Sequence, residues 1–105
     1  MEKYSINIAT QFNDKLGGRW KQYGPFSGQE FYEKLLLNKF NEAFEQNEKL
    51  HIYLDGAKPY GSSFLDQSFG ELSRICGIEK VRNNIVFHTE YYGWIVKFIN
   101  YEIWK

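Results

Sequence analysis

Two adjacent hydroxyls, Ser62 and Ser63, stand between an alternating apolar run (Leu50, Ile52, Leu54) and apolar residues at helical spacing (Phe64, Leu65, Phe69, Leu72, Ile75, Cys76). Where a strand runs out into a helix, the first amides of the helix are unpaired and carry partial positive charge. Two kinds of chemistry suit a hydroxyl placed there. One is capping, in which the serine oxygen accepts from a first-turn amide and stabilises the helix by about 1 kcal/mol. The other is phosphorylation. A phosphate of about −1.5 to −2 charge is tolerated at a helix mouth but costly to desolvate under a docked partner. Adding it would switch an interface off without unfolding the domain.

Other side chains invite the same weighing. Gly17-Gly18-Arg19 pairs conformational freedom with a guanidinium that could meet a carboxylate or phosphate near the serines; the plainer reading is a hairpin with a solvated arginine. No Gly-Lys-Ser/Thr follows, so it is not a phosphate loop. Asp55, Asp66 and Glu71 are the acids near the serines, and no histidine is close in sequence, so a carboxylate that caps a turn is expected over acid–base catalysis. His51 and His88 fall on predicted strands and read as satisfied or solvent-facing side chains, not metal ligands. Cys76 reads as buried packing. Trp20, Tyr23 and Tyr60 flank loops and are types favoured in docking surfaces.

These residues need elements to hold them. Residues 4–9 alternate as a strand with a wet face, residues 12–18 read as a turn, and Arg19 to Tyr23 reads as a second, short strand. Ser27-Gly28-Gln29-Glu30 is a capping box, with Ser27 accepting from the amide three residues on and Glu30 reaching back to the serine amide. A helix to about Gln46 follows, striped by Leu36, Leu37, Phe40, Ala43 and Phe44. Phe31 and Leu35 fall off that stripe, so the helix either bends or packs on two sides. Leu50–Leu54 is the clearest strand, and Pro59 keeps the next loop out of helix and central strand. The helix from Ser62 or Ser63 ends at Gly77, a strand covers 84–89, and Trp94, Ile95, Phe98, Ile99 and Ile103 share a face of a last helix, with a strand as the alternative there. Strands alternating with helices predict an α/β domain, its sheet partly parallel and covered by helices, with binding at the strand ends near Leu54–Ser63.

The 105 residues suit one domain, 1–105. Thirteen basic and thirteen acidic residues balance to zero. That argues against duplex nucleic acid, which needs surplus cations to displace phosphate counterions. One cysteine excludes an intramolecular disulfide and a Cys-rich zinc site, and no cofactor pattern appears. The N-terminal residues lack a signal-peptide run and no stretch approaches a membrane span, so a cytoplasmic protein is expected.

Ile52-Tyr53-Leu54-Asp55-Gly56, Tyr60-Gly61-Ser62-Ser63-Phe64-Leu65 and Phe69-Gly70-Glu71-Leu72 resemble the STAS-like family (sulfate transporter and anti-sigma factor antagonist) of small bacterial and phage proteins. Leu16-Gly17-Gly18-Arg19, Gly24 and Ser27–Phe31 extend the resemblance, which covers most of residues 5–75. It implies a mixed sheet of about four strands with about three helices packed against it. More distantly, Leu54–Leu65 resembles the anti-sigma factor antagonists, whose strand leads into an Asp-Ser-Ser-Gly-Leu turn with a phosphorylated serine. That likeness implies Ser62 as phosphoacceptor with Ser63 beside it, and a partner with a histidine-kinase-like ATPase fold. Gly61 stands where those proteins carry aspartate and Phe64 where they carry glycine, so the local hydrogen bonds of the acceptor must differ.

The expectation is therefore a non-catalytic protein-binding module. Its surface lies around Tyr60, Gly61, Ser62, Ser63 and Phe64, with Arg19 and Asp55 beside it. Two alternatives stand: a small-ligand or nucleotide module at the same junction, and a single-stranded nucleic-acid binder using the interleaved cations and aromatics of Arg19–Tyr23.

Overall fold

A computed structural model describes residues 3–105. Three strands, β1 (Ser5–Asn7), β2 (Leu50–Tyr53) and β3 (Ile85–His88), form one sheet in the order β1-β2-β3, and both pairings are parallel. Among the described residues five helices accompany them: α1 (Ile8–Gln11), α2 (residues 28–45), α3 (residues 62–76), α4 (Ile78–Asn84) and α5 (residues 93–103). The expected mixed sheet of four strands with three helices is thus corrected. Arg19–Tyr23 is not a strand; Lys21–Tyr23 is a 3-10 turn. Residues 4–9 are strand only to Asn7, whose side-chain oxygen accepts from the Thr10 amide and starts α1. Helix α4 fills the stretch between Gly77 and β3, and the C-terminal segment is helical.

Register decides which face is core. Ile6, Ile52 and Phe87 are aligned neighbours, and the helices pack on their side. Phe87 meets Phe69 of α3 at 5.3 Å and Trp104, just past α5, at 5.7 Å between ring centroids. The other face carries Ser5, His51 and Val86 in one row and Asn7, Tyr53 and His88 in the next. Of these six, Ser5 alone is buried.

Each long helix is interrupted by one π turn: Tyr32–Leu36 in α2, Asp66–Gly70 in α3 and Ile99–Ile103 in α5. Five residues of α-helix place two side chains roughly 140° apart. A π turn takes in the extra residue and brings them back to one side. Phe31 and Leu36, Phe64 and Phe69, and Ile99 and Trp104 are such pairs, and all six are buried. The same shift turns Ile75 outward, where it is 62% exposed despite its place on the apolar arc. Phe44, at the end of the α2 stripe, also faces solvent, with the Lys80 ammonium 3.9 Å above its ring.

Helix α2 begins as a capped helix. Ser27 Oγ accepts from the Glu30 amide at 3.1 Å, and the carbonyls of Gly18 and Arg19 take the amides of Gly28 and Gln29. Glu30 reaches back one residue further than a capping box predicts, to the Phe26 amide. The glycine–arginine segment is therefore no hairpin; it closes the mouth of α2. Gly77, at φ +101°, ends α3 as expected. Among the described residues no helix is long and apolar enough to cross a membrane.

Candidate functional site

Leaving β2, the chain passes through Leu54 into a loop pinned from both sides. The Asp55 carboxylate accepts from Thr89 Oγ1 at 2.6 Å, the Glu90 amide at 2.7 Å and the Tyr91 amide at 3.3 Å. Burial opposes its charge, but these donors outweigh burial and hold the carboxyl below its usual value. Tyr60 Oη donates to Leu54 O at 2.6 Å, and Tyr92 Oη donates to Ala57 O at 3.1 Å. The two tyrosine rings pack edge to face at 5.1 Å. These bonds lock the loop after β2 to the loop after β3, so the start of α3 is presented on a rigid base.

Gly61 occupies the N-cap, with extended backbone and no side-chain cap. Ser62 and Ser63 are therefore inside the first turn, both exposed. The capping reading of the serines is thus corrected: the cap falls to a glycine, and no hydrogen bond from either hydroxyl occurs among the described residues. Beside Ser62 lies a cleft of about 90 Å³ lined by Tyr60, Leu65, Trp94, Ile95 and Phe98. Trp94, 65% exposed, stands at its rim instead of on the buried face of α5.

The other predicted site residues separate into two groups. Tyr60 and Phe64 are buried, so they shape the surface from beneath. Phe64 stacks on Phe31 at 5.9 Å. Arg19 does reach α3: its Nη1 lies 2.6 Å from Asp66 Oδ2. Arg74 closes on the same carboxylate at 3.2 Å and also bonds Glu71 at 3.0 Å. Burial opposes the Asp66 charge, but the bonds from Arg19 and Arg74 prevail and lower its pKa. Asp66 follows Ser62 by four residues and Ser63 by three, so this ionic cluster borders the serine face. Asp55 takes no part in it, while Asp66 and Glu71 are joined through Arg74. Burial raises the Cys76 thiol, with Lys80 pulling weakly the other way, which keeps it protonated.

Sequence reasoning missed two contributors. The spacing of Trp94 fits the α5 stripe and predicts a core side chain, yet it is exposed. Nothing along the chain pairs the two histidines, which stand 37 positions apart. The structure places His51 Nδ1 2.8 Å from His88 Nε2. The legible signal was that both lie on the wet parity of their strands; their adjacency depends on the β2–β3 register.

Residues 27–89 match the model of a STAS-like domain of unknown function (DUF4325). The matched stretch runs from the cap of α2 through β3, so it continues beyond Gly77, where the residue-level likeness fades. No curated protein and no solved structure matches the chain.

Proposed function

The chain belongs to the STAS-like domain family of unknown function, and we propose that within it this protein is a non-catalytic, cytoplasmic binding module whose partner docks over the first turn of α3. The observation that carries this reading is the pairing of two exposed hydroxyls, neither hydrogen-bonded among the described residues, with an exposed tryptophan beside a small apolar cleft. A rigid base holds them in place. Tryptophan is a favoured anchor in interfaces, and the cleft accepts an aliphatic side chain from a partner.

Phosphorylation of Ser62, or of Ser63 beside it, is the proposed switch. The added dianion meets the positive end of α3, so the fold tolerates it. On the partner side it forces a desolvation cost onto an apolar contact. Asp66 does not stand bare beside it, since two guanidinium groups already neutralise that carboxylate. By analogy with the anti-sigma factor antagonists, the partner is an ATPase of histidine-kinase-like fold. The rival single-strand reading of Arg19–Tyr23 loses support, because Arg19 and Lys21 are both committed to carboxylates.

Site-specific photocrosslinking tests the surface. A crosslinker at Ser62 is expected to capture one predominant protein in cells, whereas one at Glu42 on α2 captures none. Equal capture at both positions would remove the docking site. Phosphopeptide mass spectrometry of the protein isolated with its partner tests the switch, which fails if Ser62 and Ser63 are both unmodified.

A further inference from the structure

The chain has two histidines in all, 37 positions apart, and the fold sets them against each other. Both project from the half-buried face of the sheet, on adjacent parallel strands whose register aligns His51 with Val86 and Tyr53 with His88. The rings meet edge to edge, 5.0 Å between centroids with the facing nitrogens between them, and Tyr53 stacks on His88 at 4.4 Å, which buttresses that ring. We propose that His51 and His88 form a two-imidazole chelate for a divalent transition metal ion, bound through His51 Nδ1 and His88 Nε2.

The argument is the distance. Imidazole nitrogens bind zinc at about 2.0–2.1 Å, so two nitrogens on one ion lie about 2.9 Å apart at a right angle and about 3.3 Å apart at the tetrahedral angle. The observed 2.8 Å falls just short of the first value, and turning each ring by about 35–45° aims both lone pairs at one ion. Without metal, one ring donates its N–H to the lone pair of the other. With metal, both facing nitrogens must be lone-pair donors, and each ring keeps its proton on the far nitrogen. A neutral pair reaches that state by one tautomer change, with no net loss of protons. Imidazole suits zinc, copper and nickel ions, and the strand-mounted rings lose little freedom on binding. The described residues contain no cluster of three or more potential ligands, so ligands from outside them, water included, complete the coordination. An ion there bridges β2 and β3 on the face opposite Ile52 and Phe87.

Zinc titration of the untagged full chain tests this, with calorimetry for affinity and imidazole 15N spectra for the ligand atoms. One equivalent is expected to bind, moving His51 Nδ1 and His88 Nε2. His51→Ala and His88→Ala should each weaken binding on the order of a hundredfold while circular dichroism stays unchanged. The proposal is overturned if zinc shifts neither nitrogen, if the far nitrogens respond instead, or if the double variant binds zinc as tightly as the parent.

Discussion

Replacing Gly28 by alanine should separate the first turns of α2 and α3. A Cβ at that position would lie 2.5 Å from Phe64 O, 3.1 Å from Phe64 Cα and 3.2 Å from Gln67 Cβ. Two of those three atoms are backbone, so no rotamer change relieves the contact. The helices must part by at least half an ångström to restore the 3.0 Å that real Cβ contacts respect. The Phe31–Phe64 stack lies in the same layer, and a close-packed interior transmits the shift. Overpacking of this kind costs about 1–3 kcal/mol, and alanine returns up to about 1 kcal/mol through helix propensity. Taking the middle of that cost, about 2 kcal/mol, the net is a loss of about 1–2 kcal/mol, or about 4–16 °C in Tm for a domain of this size. Circular dichroism melts and urea titrations measure it. Gly18→Ala is the control, since a Cβ there meets nothing within 4 Å. Its stability should stay within about 1 kcal/mol of the parent. A Gly28→Ala variant that melts with Gly18→Ala would refute the close approach of the two helices. The rigid presentation of Ser62 would fall with it.

Further expectations follow from the same contacts. The Asp55 carboxyl titrates lower in the folded protein than in the unfolded chain, so its stabilisation is complete above the ordinary value of about 3.9 and is lost as pH falls through the folded value. Melting curves from pH 6 to pH 2.5 should therefore show a shallower acid loss for Asp55→Asn than for the parent. Tyr60→Phe removes a buried donor to Leu54 O and should cost about 1 kcal/mol in urea unfolding, with the slope unchanged. Asp66→Asn should cost less than about 1 kcal/mol, because Arg19 and Asp66 are each about a third exposed and water screens the pair. A loss several times larger would mean that the cluster is far drier than its exposure indicates.

Much of the fold was legible along the chain. The alternation at Leu50–Leu54, the capping serine before α2 and the glycine after α3 are local signals, and each element formed where its signal stood. The phases of the long helices were not legible. Phe31 and Leu36 look mismatched at 3.6 residues per turn. A π turn is worth forming only when both rings find a core to fill, and that core comes from Phe64, Phe69 and Leu72 on another helix. For the same reason Ile75 and Trp94 matched a stripe yet ended outside. Arg19–Tyr23 has the composition of a strand, but the carbonyls of Gly18 and Arg19 take amides of α2, and Lys21–Tyr23 closes into a 3-10 turn.

By itself, the sequence determined an α/β domain with a strand-to-helix junction that carries two serines. It also put both histidines on the wet parity of their strands. Tertiary structure decided that Gly61 and not a serine caps α3, that Trp94 joins Ser62 at one cleft, and that Arg19 closes on Asp66 instead of solvent. It alone set His51 against His88. Local pattern records which way a side chain points from its own element; which distant residue it meets depends on register and helix phase, and those are settled only when all the elements pack at once.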